Sequence, residues 1–135
     1  MNTAIHHPVK NAGFTLVEIM IVVAIIALLA AIATPNYQRA RKRGQAAHIL
    51  NDLRTIDYAL DRWAIEKGKV GTDAATMEDL YPYLKASSKL YTTGADLLGN
   101  QYGPSFTVDI GPKLPDASWE ALSDTVPASF WSPYK

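Results

Sequence analysis

The apolar positions of this chain change their spacing as the sequence advances. Residues 14–33 are apolar on every side, with only Thr15 and Glu18 polar. About 20 such residues, at 1.5 Å each, suffice to cross a hydrocarbon core of about 30 Å. Branched residues are frequent here (Ile19, Ile21, Val22, Val23, Ile25, Ile26), but the run is too long to be a strand. Further on, Ala46, Ile49, Leu50, Leu53, Ile56, Leu60 and Trp63 recur at three- and four-residue steps. That spacing predicts a helix with one apolar face, and Arg54, Asp57, Tyr58, Asp61 and Arg62 fall off or beside it. Gly68 and Gly71 predict where it stops. One helix from Phe14 to about Lys67 would be roughly 80 Å long, which no ordinary globule of this size contains.

The remainder reads as short elements between turns. Thr76-Met-Glu-Asp79 is a capping signal, with a short helix MEDLYPYL expected to follow and Pro82 limiting it. Ser105–Ile110 alternates with period two, which predicts a strand with Phe106, Val108 and Ile110 on one face. Gly103-Pro104 and Gly111-Pro112 bound it. Leu90–Thr93 is the expected pairing partner, and Ser118–Leu122 a helical turn. Phe130 and Trp131 are expected to cover the sheet edge or the long helix. The fold class is therefore α+β: a long N-terminal helix packed against a small antiparallel sheet of two or three strands. Four parts result: residues 1–13, 14–35, 36–67 and 68–135.

Composition narrows the function. With 135 residues there is room for one ordinary domain, and with no cysteine there is no disulfide. Net charge is zero but unevenly placed. Residues 34–69 carry eight Lys/Arg and four Asp/Glu, and residues 70–135 carry four and eight. A neutral chain with so small a basic part argues against nucleic acid as its main partner. The split suits like subunits packing basic part on acidic part, or two solvated faces. No catalytic constellation is visible. His6 and His7 lie in the first thirteen residues, His48 has only Asp52 at helical spacing, and phosphate loops and zinc spacings are lacking.

Glu18 is the anomaly. A charged carboxylate within a spanning helix costs several kcal/mol, so it generally has a partner and a purpose. Three readings compete: a plain anchor, a secretory signal peptide cut after Ala33, and an anchor that is also an assembly core. A signal-peptide core is roughly 7–15 residues and carries no acid. Were the chain cut between Gly13 and Phe14, Glu18 would lie one helical turn from the new amine. The first turn of a helix favours a carboxylate in any case. In a bundle of parallel helices, the same carboxylate can meet a neighbour's terminal amine.

These residues carry a family resemblance. KNAGFTLVEIMIVVAIIALLAAIATPNY resembles the N-terminus of type IV pilins and type II secretion pseudopilins. The matching features are Gly13, Phe14, the run FTLVE with Glu18, the apolar segment and Pro35, over roughly residues 10–37. The resemblance implies that residues 1–13 are a leader, that a prepilin peptidase cuts after Gly13 and that the Phe14 amine is methylated. It implies that Glu18 sets subunit register and that Pro35 loosens the helix in the filament. It further implies residence in a bacterial inner membrane, with the C-terminal region periplasmic or extracellular. From there the chain would enter a filament with its own copies and other pilin-like subunits, driven by a cytoplasmic ATPase through a platform membrane protein. Two features depart from the pattern. Many type IV pilins have a Gly where this chain has Ala27. Arg39, Arg41, Lys42 and Arg43 follow the span, whereas the leader offers Lys10 and the terminal amine. The positive-inside rule alone favours the opposite topology.

Asp96-Leu-Leu-Gly-Asn-Gln-Tyr102 resembles a stretch near the calcium-binding loop of major pseudopilins. Calcium takes six to eight oxygens. Asp96, Asn100, Asp109 and Asp116 are the candidate ligands, against a simple Gly-Asn turn between strands. The expected function is a structural, non-enzymatic filament subunit of a type IV pilus or a pseudopilus. The alternatives are a secreted binding protein released after Ala33 and a simple membrane-anchored domain.

Overall fold

The computed structural model describes residues 13–135. The leader expected at residues 1–13, with His6, His7 and Lys10, lies outside the described residues except for Gly13. The chain divides into two compact units, Met1–Tyr37 and Gln38–Lys135. Helix α1, Leu16–Lys67, contributes to both.

In the first unit α1 is exposed throughout, with Leu16, Met20, Leu28 and Ile32 each more than 60% accessible. Among the described residues of this unit none is buried. Helix α1 is the one helix among the described residues long and apolar enough to cross a membrane. Pro35 lies inside the helix and deprives the Ala31 carbonyl of its usual donor. On either side, Thr34 Oγ1 donates to the Ala30 carbonyl at 2.8 Å and Asn36 Nδ2 to the Ile32 carbonyl at 3.3 Å. The helix continues through the proline.

In the second unit α1 is one-sided. All seven predicted stripe residues are buried, and Asp52, Ala59 and Ala64 join them. The helix ends in a Schellman motif. Gly68 adopts φ +63°, the Lys69 amide donates to the Ala64 carbonyl at 2.8 Å and the Gly68 amide to Ile65 at 3.4 Å. Strand β1 (Ala74–Thr76) follows, then α2 (Met77–Leu80) and a 3₁₀ turn over Tyr81–Tyr83. The predicted capping box is present: Thr76 Oγ1 accepts the Asp79 amide and the Asp79 carboxylate accepts the Thr76 amide.

Two expectations fail. Leu90–Thr93 is not a strand but part of α3 (Lys89–Thr93). Ser88 caps it by accepting the Tyr91 amide at 3.1 Å, and Gly94 closes it at φ +62°. A good cap at each end outweighs the strand preference of Tyr and Thr. Strand β2 covers only Ser105–Thr107 and pairs antiparallel with β1, Phe106 opposite Ala75. Past Thr107 the chain turns, the Gly111 amide reaching back to the Thr107 carbonyl at 2.8 Å with Gly111 at φ +69°. Phe106 is therefore buried as predicted, Val108 is half-buried, and Ile110 is 62% exposed. The last elements are α4 (Asp116–Leu122) and a 3₁₀ turn over Ala128–Trp131. Trp131 is fully buried in the same core as the α1 stripe, together with Leu80, Leu90, Leu114 and Leu122.

Candidate functional site

The helix start is the first place where local chemistry and the predicted site meet. Gly13 and Phe14 precede the helix and are exposed. A Cβ added to Gly13 would meet nothing within 4 Å among the described residues. Thr15 caps α1: its Oγ1 accepts the Glu18 amide at 3.2 Å, and the Glu18 carboxylate accepts both the Thr15 amide at 2.7 Å and the Thr15 hydroxyl at 2.9 Å. This is a reciprocal capping box in which two otherwise unpaired amides find acceptors. Its signature, Thr15-x-x-Glu18, was readable in the sequence by the same rule that located Thr76-x-x-Asp79. The question of why an acid sits in the apolar run thus has a local answer: Glu18 completes the cap of the helix it belongs to.

The four candidate calcium ligands do not gather. Asp96 is fully buried. One of its oxygens accepts the Leu98 amide at 2.8 Å and the Asn100 amide at 2.9 Å; the other accepts the Ser118 hydroxyl. Ser118 Oγ in turn accepts from Asn100 Nδ2 at 2.9 Å. Asp96 and Asn100 are thus brought together, but around a serine of α4. Asp109 is exposed in the turn after β2. Asp116 is exposed at the start of α4, with Oδ1 3.7 Å from Lys135 Nζ. Among the described residues no three His, Cys, Asp or Glu side chains form a group fit to hold a metal. Donors already fill the Asp96 carboxylate, so these residues do not fit a calcium cage. Ser118, twenty-two positions from Asp96, had no sequence signal linking the two.

Two carboxylates flanking the apolar stripe of α1 accept phenols from the C-terminal region. Tyr102 donates to Asp52 at 3.0 Å and Tyr134 to Asp57 at 3.1 Å. Asp52 Oδ2 also lies 3.3 Å from His48 Nδ1. Burial, aided by the Asp52 carboxylate, pushes the Tyr102 hydroxyl far above its ordinary pKa. Burial and the bond to Asp57 push Tyr134 up to about 12. A third polar tie joins Lys42 to Asp124 at 2.6 Å. The hydrogen bond from Lys42 is the main cause holding Asp124 below the usual carboxylate range.

Comparison with known proteins agrees with the helix start. Residues 9–34 match the family described as the prokaryotic N-terminal methylation motif. A fimbrial protein of Pseudomonas aeruginosa is 45% identical over 67 residues, covering 50% of this chain and 43% of that protein. The type IV major fimbrial protein FimA of Dichelobacter nodosus is 44% identical over 61 residues, covering 45% and 38%. The type II secretion system core protein G of Klebsiella pneumoniae is 26% identical over 129 residues, covering 85% of this chain and 92% of that protein. The chain spans about two fifths of the length of the fimbrial relatives it matches. No solved structure matches. The chain carries the prokaryotic N-terminal methylation motif and is similar to type IV fimbrial proteins and to a type II secretion core protein.

Proposed function

We propose that this chain is a structural subunit that waits in a bacterial inner membrane and polymerises into a pilus-like filament or a short type II secretion pseudopilus. The observation that carries this reading is the uncovered apolar stretch of α1, which begins directly after the Gly13–Phe14 junction of a methylation motif. A helix apolar all round needs lipid or other helices around it. In the proposed cycle a prepilin peptidase cuts after Gly13 and the Phe14 amine is methylated. Residues 14–33 then hold the subunit in the membrane with the C-terminal unit outside the cytoplasm. Leaving lipid removes about 20 apolar residues from a compatible solvent. Packing the same surface against neighbouring copies offsets that cost, and a cytoplasmic ATPase acting through a platform protein supplies the remainder.

Glu18 has two successive roles in this scheme. Before assembly it serves the cap. In the filament it meets the terminal amine of an adjacent chain, which selects one register among many that apolar contacts alone would allow. Glu18→Ala should leave membrane insertion unchanged and reduce filament yield at least tenfold; equal yield would contradict the register role. Gly13→Val should abolish processing. Among the described residues a Cβ at Gly13 meets nothing within 4 Å, so a block there reports on peptidase recognition and not on misfolding.

The pseudopilus form is favoured by extent of similarity: the match to core protein G runs over 85% of the chain, whereas the fimbrial matches run over 44–65%. Deleting the gene should then retain exported proteins in the periplasm without removing surface fibres. The opposite pair of results would favour a pilus.

A further inference from the structure

We propose that Arg39, Arg41 and Arg43 form a docking surface for the headgroups of anionic phospholipids in the membrane that holds the subunit. The inference rests on the membrane residence proposed above and adds which lipids this segment selects.

Three observations support it. The first is isolation from acid. Between Glu18 and Asp52 the sequence has no Asp or Glu at all, nor do residues 1–12 contain one. All three arginines are exposed. The ion pairs among the described residues are Lys42–Asp124, His48–Asp52, Lys67–Glu66 and Lys135–Asp116, and none includes these arginines. Lys42, their neighbour in sequence, pairs with Asp124 of the C-terminal region, and Arg43 borders Thr125, Val126, Pro127 and Phe130 there without pairing with an acid.

The second is position along the helix. Arg39, Arg41 and Arg43 follow Ala33, the last residue of the apolar stretch, by six, eight and ten residues. Helical side chains lean towards the N-terminus, here towards the apolar stretch. A long guanidinium arm so placed reaches phosphate level at the border of the hydrocarbon core. Tyr37, 71% exposed, sits just before them with the mixed character of interfacial aromatics.

The third is angular spread. At 100° per residue, Arg39 and Arg43 share one side of α1 and Arg41 lies about 160° from Arg39. A partner protein docks on one face and would leave Arg41 or the other two in water. Lipid headgroups reach a helix on every side that the protein leaves open, and all three arginines are exposed. Guanidinium pairs bidentately with phosphate and stays charged at any physiological pH, and juxtamembrane basic residues each add attraction to an anionic surface. A headgroup surface also gives these charges a role outside the cytoplasm, where the positive-inside rule would not place them.

The test is native mass spectrometry of the full chain in micelles titrated with phosphatidylglycerol or phosphatidylethanolamine. Arg39→Gln/Arg41→Gln/Arg43→Gln is compared with Lys42→Gln. The unaltered chain and Lys42→Gln should bind phosphatidylglycerol on the order of tenfold more tightly than phosphatidylethanolamine. The triple variant should bind the two about equally, with its tryptophan emission unchanged. Equal binding by the unaltered chain, or a preference retained by the triple variant, overturns the proposal. So does a lipid-independent dimer lost in the triple variant, which would assign the arginines to a second copy. Extraction of each protein from vesicles with alkaline carbonate separates the two levels. Resistant chains without lipid preference refute this inference alone, whereas extractable chains refute the membrane residence beneath it.

Discussion

Residues 16–35 and residues 46–64 belong to one α-helix and solve opposite problems. The first stretch is apolar on all sides and buries none of its residues; the second is apolar on one stripe and buries all of it. Helical periodicity is common to both, so secondary structure does not separate them. What separates them is where polar residues are allowed. In the first, the acid sits at the helix start, where it accepts the Thr15 amide. In the second, Asp52 and Asp57 flank the stripe and take hydroxyl donors from distant parts of the chain. A uniform apolar surface leaves its partner open, and a stripe with polar edges specifies one.

The largest contrast should come from truncating one leucine in each stretch. Leu53→Ala, at a site with no exposure, should cost about 2–5 kcal/mol in urea unfolding followed by tryptophan fluorescence. Leu28→Ala, in the uncovered stretch, should change that midpoint by less than about 0.5 kcal/mol. Similar losses at both sites would erase the distinction.

Next in size is the Asp96 cluster. Ser118→Ala leaves a buried carboxylate short of one donor, at a cost of about 1–3 kcal/mol. The melting temperature of the unaltered chain should not respond to calcium or to a chelator, because protein donors already occupy the carboxylate. A chelator-induced drop would restore the calcium reading.

Removing one edge contact should cost less. Tyr102→Phe takes away the donor to Asp52 and should destabilise by about 1 kcal/mol. Tyr134 gives a pH signature. Its pKa is raised in the fold to about 12 from an ordinary 10.0. Its contribution is therefore intact below about pH 10 and lost as pH rises towards 12. Tyr134→Phe should flatten the loss of stability over that window, and an unchanged alkaline profile would count against the Asp57 bond. The smallest effect should be Thr15→Ala. It should increase amide exchange at Leu16–Glu18 through loss of the cap, about 1 kcal/mol locally, and leave urea unfolding untouched.

The sequence was most legible where one rule governs a local pattern. The stripe from Ala46 to Trp63 showed itself through spacing, the α1 terminus through Gly68, and the Thr76–Asp79 box through side-chain type. Legibility failed where two local preferences compete. Tyr91, Thr92 and Thr93 favour a strand, yet Ser88 and Gly94 cap them as a helix. Val108 and Ile110 continue an alternation that Gly111 interrupts by turning the chain back on Thr107. Legibility was lowest for contacts made by folding: nothing near Asp96 announces Ser118, and nothing near Asp52 announces Tyr102. At the proposed processing site Gly13 and Phe14 stand beside Thr15-x-x-Glu18, the signature of the cap that Thr15 and Glu18 share.

The most direct test of the account is the mass of the N-terminal peptide of the protein recovered from cell membranes. The account predicts a chain beginning at Phe14 with a methylated amine. A chain beginning at Thr34, or one retaining Met1, would contradict it.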